Sequence, residues 1–505
     1  LKIQWWTGSQ NWQLALKNSL ESDVVNLQCF KSIEVSEPVL QGKSVRTAVS
    51  CIDLDGKKAH FQLEAKYEEG IAQDYLDLLR MASIMPLLNY GLFAKEIKLN
   101  FALAESDFSL VQDLLEIFSK DIFINKLVRR KNPYMLPQYA LTKDDTHDWK
   151  EISKARIAPK NINEDAPIAT DPNGNSCGVL SSGGKESLLT YGLMKEIGAE
   201  VHPLYINESG GHWRTALPAY RYFKDNFLNT ARVWTNVDRF YMFMLDHMRI
   251  IRRDHRRIWA DTYPIRLCIF PFYIFLLLPV FAKRRIGNIL IGSEFDDPRT
   301  SPFFAGIRHF FGVYDQTQEF DARMERWLSE RMLGMRQWSA VRSISGLIVE
   351  RILIDRYPDL ARLQRSCHSC HFDRGDLLPC GKCSKCQGIL LFLMANKVDP
   401  SIMGYDQEDV VALPERIAEG NLRLDEDEKN YALFLSELSP NLNDRETGHI
   451  ETIHFHKQTS DLQLLPARFR SKIVRILARY TKGYSILKDE SWVRVLKPSD
   501  LALEV

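Results

Sequence analysis

Two stretches of the chain carry residue types at spacings that can do chemistry. In the first, Cys380-Gly-Lys-Cys383-Ser-Lys-Cys386 sets three thiols at intervals of two residues, with Cys370 and Cys367 a short way upstream. Turns this tight bring thiolates around one ion, and four sulfurs at about 2.3 Å make a closed tetrahedral Zn²⁺ site. A structural zinc supplies on the order of 10 kcal/mol of local folding free energy, so the expected role is a staple and not a catalyst. Cys380, Cys383 and Cys386 are the expected ligands; Cys370 is preferred as the fourth, with Cys367, His368 and His371 as alternatives. An iron–sulfur cluster is the competing reading, because four thiolates suit that chemistry too.

The second stretch, Gly178 to Ser187 (GVLSSGGKES), reads as a buried strand that breaks into a glycine turn and enters a helix over Lys185 to Glu196. Gly183 and Gly184 can take positive φ and carry no side chain, so successive N–H groups can converge on an anion. The positive end of the helix would point at the same place. Neither of two familiar nucleotide loops fits. A Walker A loop needs a Gly five positions before its Gly-Lys pair and Ser or Thr straight after, where this chain has Val179 and Glu186. The G-x-G-x-x-G dinucleotide fingerprint is not supplied either.

At Ser182-Gly183-Gly184-Lys185-Glu186-Ser187 the chain resembles the PP-loop ATP pyrophosphatases, whose pattern is strand, S-G-G-x-D-S, helix. Glu186 departs from it by standing where the family usually has Asp, which keeps a carboxylate one methylene further out. Two subgroups join such a loop to a downstream four-cysteine knot. The 7-cyano-7-deazaguanine synthases resemble the chain at Ser369-Cys370 and Cys380 to Cys386. The ATP-dependent epimerases of UDP-N-acetylmuramoyl-L-alanyl-L-glutamate resemble more of it: an extra front domain, Gly292-Ser293-Glu294 at a third strand, an aromatic and acidic stretch like Tyr314 to Asp321, and Arg365-Ser366-Cys367 ahead of the knot.

What the resemblance implies is an AMP- and pyrophosphate-forming enzyme that activates a substrate carboxylate as an acyl-adenylate, with ATP, Mg²⁺ and Zn²⁺ as cofactors. An epimerase-like outcome is favoured, with amide or nitrile formation as the alternative and a non-catalytic ATP-binding scaffold as the rival of another class. It implies nucleotide contacts from Ser181, Ser182, Gly183, Gly184, Lys185, Ser187, Gly292, Ser293 and Glu294, and catalytic work for Lys185, Glu186 and Ser187. Glu186 or Asp296 would serve as a Mg²⁺ ligand or base.

Positioning these groups requires a parallel sheet. Glu200 to Asn207 and Asn288 to Glu294 read as the strands that follow the cradle, and strand-helix-strand spacing implies helices on both faces. The fold class expected is α/β, with a PP-loop sheet over 176–400, an α+β front domain over 1–150, a linker over 151–175 and a helical extension over 401–505. In the front part, Ser50 to Lys66 alternates about Asp55-Gly56 as a hairpin does. Ligands in such sheets lie beyond the carboxyl ends of the strands, so the loops 181–187, 207–211 and 292–297 should share one crevice.

The 505 residues are 45% hydrophobic and 26% charged, a globular composition long enough for two or three domains. A net charge of +1 from 66 basic and 65 acidic residues gives no global pull toward nucleic acid or an anionic membrane, so a small-molecule or peptide carboxylate is the expected partner. The basic segment Arg249 to Arg266 reads mainly as a solvated face. Five of nine cysteines fall in one short segment, which points to a reducing, cytoplasmic setting and not to a disulfide framework. No basic-then-apolar leader follows Leu1. The apolar run Cys268 to Ala282 is shorter than the about 20 residues that span a bilayer, and reads as a buried helix.

Overall fold

The computed structural model describes residues 26–495, apart from 151, 153, 259–261, 300–301, 311–312, 368, 374, 421, 440–446 and the side chain at 148. Its centre is one mixed, mostly parallel sheet of eleven strands: β1 (Phe30–Val35), β2 (Val39–Gln41), β3 (Ser44–Asp53), β4 (Lys58–Tyr67), β5 (Glu96–Leu99), β6 (Arg156–Pro159), β7 (Asn173–Leu180), β8 (Glu200–Asn207), β9 (Ala231–Thr235), β10 (Ile286–Leu290) and β11 (Arg336–Trp338). The order across it is β11-β10-β7-β8-β9-β4-β3-β1-β5-β6, with β2 paired to β3. β11 through β9 run parallel, and the hairpin β3/β4 turns at Asp55-Gly56 as its alternation predicts.

The longer helices are α1 (Leu76–Ile84), α2 (Glu105–Ile122), α3 (Lys185–Glu196), α4 (Gly211–Asn226), α5 (Val237–His247), α6 (Phe270–Lys283), α7 (Gln318–Glu330), α8 (Gly346–Arg356), α9 (Ser384–Ala395), α10 (Glu426–Leu435) and α11 (Ala467–Leu477). Successive residues of a strand point to opposite faces, and the core divides accordingly. Leu204 and Ile289 join a cluster with α1, α2, α5, α6 and α7, while Val179, Tyr205 and Leu290 join one with α3, α4, α8 and α9. The run Cys268 to Ala282 is the buried α6, with Ile274, Phe275, Leu277, Leu278 and Phe281 fully enclosed. Each such side chain contributes roughly 1.5–3 kcal/mol. Gly178 makes room for it: a Cβ there would lie 2.2 Å from a ring carbon of Phe281. No helix among the described residues is long and apolar enough to cross a membrane.

The expected boundaries at 150 and 175 are not breaks in this architecture. β4 pairs antiparallel with β9 through Tyr67↔Val233, Lys66↔Trp234 and Ala65↔Thr235, and the front residues share their core with α5 and α6. Arg156–Pro159, placed in the linker by its polar surroundings, is the edge strand β6, where one side of the strand needs no partner. The last hundred residues also differ from the helical extension expected. They include a small sheet of β12 (Ile453–Phe455), β13 (Tyr484–Lys488) and β14 (Ser491–Val495).

Front and rear are fastened at Asn89, which is fully buried. Its Nδ2 donates to the carbonyls of Pro86 (3.2 Å) and Cys268 (2.9 Å), and its Oδ1 accepts from the amides of Leu267 (2.7 Å) and Cys268 (2.9 Å). Asn89→Ala strands these buried backbone groups at about 1–3 kcal/mol each. Denaturant unfolding of this variant is expected to shift by about 3 kcal/mol or more, as one transition, because the severed bonds join the two halves of one core.

Candidate functional site

The glycine turn sits at the carboxyl end of β7, a central strand. Ser181 N–H donates to the Leu204 carbonyl (2.8 Å) of β8, and Gly183 takes φ +75°. Ser187, given a catalytic role from sequence, braces the turn: its Oγ donates to the Gly184 carbonyl (3.1 Å) and accepts from Ser182 N–H (3.4 Å). Gly184 caps α3, with its amide on Ser182 Oγ (3.3 Å). The amides of Gly183, Lys185 and Ser187 meet no acceptor among the described residues. They form a cluster of unspent donors at the positive end of a twelve-residue helix.

Neighbours hold this turn closely. A Cβ on Gly183 would meet the Thr215 carbonyl oxygen at 3.0 Å and Ala216 Cα at 3.2 Å, both on α4. A Cβ on Gly292, just past β10, would lie 2.7 to 3.0 Å from Glu186 Cβ and its backbone carbon and oxygen. Gly292 therefore acts by absence, letting the first turn of α3 lie against the end of β10. Ser293 is buried beside it, its amide on Ser339 Oγ (3.2 Å).

Lys185 is 6% exposed and lies between two carboxylates, bonded to Glu186 and 2.8 Å from Glu294. Burial opposes its charge, but Glu186 and Glu294 outweigh burial and hold the ammonium above the usual lysine value. Burial pulls the Glu186 carboxyl up and Lys185 more than reverses that, so it ionises below the usual range. Glu294 is raised by burial and by repulsion from Glu186. Two further acids stand behind them. Glu350 on α8 is fully buried, with Oε1 lacking a partner among the described residues and Oε2 accepting from Gln364 (3.0 Å); burial pushes its carboxyl up to about 7. Glu428 on α10 accepts from Leu347 N–H (2.9 Å) and is pushed up to about 8 by burial and then by Glu294. Asp296 lies at the exposed rim, where Asp425 feels its charge.

The C-terminal segments, in which the sequence shows no chemistry, thus reach the site. Asp427 and His449 (3.0 Å) join Asp297, Arg299 bridges all three, and His449 passes on to His454 (2.9 Å). The aromatic and acidic stretch turns out to be framework. Asp315 Oδ2 accepts the amides of Ile269 (3.0 Å) and Phe270 (2.9 Å) at the start of α6, Asp321 binds Arg342, and Tyr314 takes a bond from Arg323. Phe311 and Gly312 lie outside the described residues. Arg249 holds backbone carbonyls and Arg252 pairs with Asp254, but Arg266 is buried against Asp238. Two cavities lie away from the cradle, one beside α7 and Asp461, the other between Tyr191, Tyr222 and Tyr357 at the far end of α3.

The cysteine cluster gathers four sulfurs within 4.8 Å of one another: Cys367, Cys380, Cys383 and Cys386. Cys370, preferred from sequence, is outside the group. Its chain runs directly into the hairpin His371–Asp373 with Asp376–Leu378, whereas Cys367 Sγ accepts amides from Ser369 (3.2 Å) and Cys380 (3.3 Å). His371 is exposed on that hairpin, and His368 lies outside the described residues. The sulfurs of Cys380 and Cys386 are 3.9 Å apart and those of Cys383 and Cys386 3.6 Å, close to the about 3.8 Å edge of a tetrahedron with 2.3 Å bonds. The donor set is compatible with zinc. Gly381 turns the knuckle at φ +68°, where a Cβ would strike Asp409 Oδ1 at 1.8 Å. The knot also touches the cradle: Arg365 N–H donates to the Gly183 carbonyl (3.1 Å), two residues before Cys367.

Fold and site together define an α/β protein with a four-cysteine group compatible with zinc. No protein-family model matches the chain, and no curated protein matches it significantly.

Metal analysis of purified protein is expected to give about one zinc per chain. Cys367→Ser or Cys383→Ser should lose it and Cys370→Ser keep it; visible absorbance with iron would point to the competing cluster. A second expectation concerns pH. Glu350 holds its proton to about pH 7 when folded and releases it near 4.5 when unfolded. The folded state therefore binds more protons across that window, and stability falls as pH rises through it. Glu350→Gln should flatten the decline between pH 5 and 8 by on the order of 2 kcal/mol, read from denaturant midpoints.

Proposed function

We propose that this protein consumes ATP with Mg²⁺ to activate a substrate carboxylate, releasing pyrophosphate and leaving an acyl-adenylate. The observation that carries the reading is the set of unspent amides of Gly183, Lys185 and Ser187 at the head of α3. Donors fixed in this way stabilise negative charge without reorganising as it develops, which suits a departing pyrophosphate. Lys185 and the carboxylates about it supply the remaining charges. Glu186, ionised at neutral pH, and Glu294 are the side chains that would hold Mg²⁺, a hard cation that takes oxygen ligands. The cation's chemistry is to neutralise phosphate oxygens; the chain's part is to keep Lys185 protonated and the turn rigid. Ser181, Ser182, Gly292 and Ser293 line or brace the same place.

The resemblance at Ser182 to Ser187 and at the knot favours the pyrophosphatase class and, within it, an epimerase-like enzyme acting on an amino-acid or peptide carboxylate. Zinc, on this reading, fixes Arg365 to Cys367 against the turn and takes no part in the reaction.

Incubation with ATP, Mg²⁺ and a panel of carboxylates is expected to yield AMP and pyrophosphate. Accumulation of ADP and phosphate instead would remove the proposal, and tight ATP binding without turnover would favour a scaffold. Lys185→Ala should lower AMP formation at least about 100-fold with the far-ultraviolet circular dichroism unchanged.

A further inference from the structure

A second polar constellation lies at the carboxyl end of β8, and the reading above does not use it. Glu208 is the first residue past that strand and is 2% exposed. His212 Nδ1 lies 3.1 Å from Glu208 Oε1, and His212 Nε2 is hydrogen-bonded to the Tyr263 hydroxyl. The Glu208 carboxylate also takes a bond from Tyr273. The chain of groups runs from a buried carboxylate outward to a histidine whose side chain is 37% exposed and a half-buried phenol.

The backbone around it is built to fixed dimensions. Ser209 adopts φ +64°, a left-handed conformation that L residues other than glycine seldom take. Asn207 Oδ1 holds its amide (3.0 Å), and a Cβ on Gly210 would strike Asp238 Oδ2 at 1.4 Å. Arg266, clamped on Asp238 (2.6 Å), sets its guanidinium 3.8 Å from the centre of the Tyr263 ring. Lys126 Nζ donates to the Tyr263 carbonyl (3.1 Å). The constellation adjoins the cradle: Thr215 Oγ1 donates to the His212 carbonyl (2.8 Å), and Thr215 is the residue whose own carbonyl packs on Gly183.

We infer that Tyr263, backed by His212 and Glu208, is the group that moves a proton to and from the bound substrate. This rests on the reading of the crevice as a carboxylate-activating site, because adenylation is what makes the adjacent Cα–H acidic. Burial raises the Tyr263 phenol to about 12 although Arg266 pulls it down, so alone it is a poor base at neutral pH. The relay removes that difficulty. As the substrate C–H bond breaks, its proton bonds to Tyr263 Oη, the phenolic proton passes to His212 Nε2, and the imidazolium faces the Glu208 carboxylate. The electron pair stays on the substrate as an enolate, and reversal returns a proton exchanged with solvent. Nucleophile or base, histidine and orienting carboxylate in one line is the arrangement that activates a weakly acidic hydroxyl elsewhere. Tyr263 is the catalytic residue here; His212 and Glu208 are positioning residues.

The experiment is run in deuterium oxide with ATP, MgCl₂ and a panel of N-acetyl-L-amino acids, measuring AMP released and deuterium gained at Cα. Tyr263→Phe is expected to lower the ratio of deuterium to AMP at least about 100-fold; an unchanged ratio overturns the inference. If the unaltered protein releases no AMP with any of the panel, the function proposed above fails this assay, and the relay is then judged by ring-nitrogen NMR of His212. Tyr263→Phe and Glu208→Gln, both conservative in shape, should each alter the protonation signature of the His212 nitrogens. Signals left unmoved by both variants overturn the relay.

Discussion

The interaction on which the rest of the site depends is a buried ammonium shared by two acids from different parts of the chain. Lys185 opens α3, Glu186 follows it, and Glu294 comes from beyond β10. Bringing three charged groups out of water costs several kcal/mol for each ion, repaid only when their geometry satisfies one another. That geometry is available because Gly292 lacks a side chain and α3 can press against the end of β10. Removing one member leaves a buried charge uncompensated, so the triad ties the start of α3 to the segment beyond β10.

Around this triad the acids grade from ionised to protonated. Glu186 carries charge beside the lysine, Glu294 is held higher, and Glu350 and Glu428 retain protons near neutrality because burial outweighs the pull of Lys185 on them. On the proposed reading, a divalent cation would meet the Glu186 anion first and the protonated acids only behind it.

Much of the framework is legible in the residues themselves. The span Lys185–Glu196 and the strand Glu200–Asn207 have the limits their patterns predict, because Gly184, Gly198 and Gly210 flank them and apolar residues fill the interval. The hairpin about Gly56 and the buried helix from Phe270 are equally plain. What the pattern does not carry is long-range pairing. Nothing local in Tyr67 announces Val233 as its partner, so the front strands read as a separate body. The cysteines show the same limit at smaller scale: spacing names three thiols of the group, but only the folded chain brings Cys367 to them as the fourth. Asp427, Glu428 and His449 sit in segments whose helical and turn signals are ordinary. Glu208, His212 and Tyr263 are separated by up to 55 residues and meet only because β8, α4 and the approach to α6 converge.

The short link from Gly183 through Arg365 to Cys367 has a thermodynamic corollary. On the proposed reading, any free energy that anion binding at the turn passes to the thiols through this link must be returned, so that occupancy of the thiols changes the affinity of the turn by the same factor. A metal held at the thiols would, on that reading, tune the turn from a distance without meeting what the turn binds.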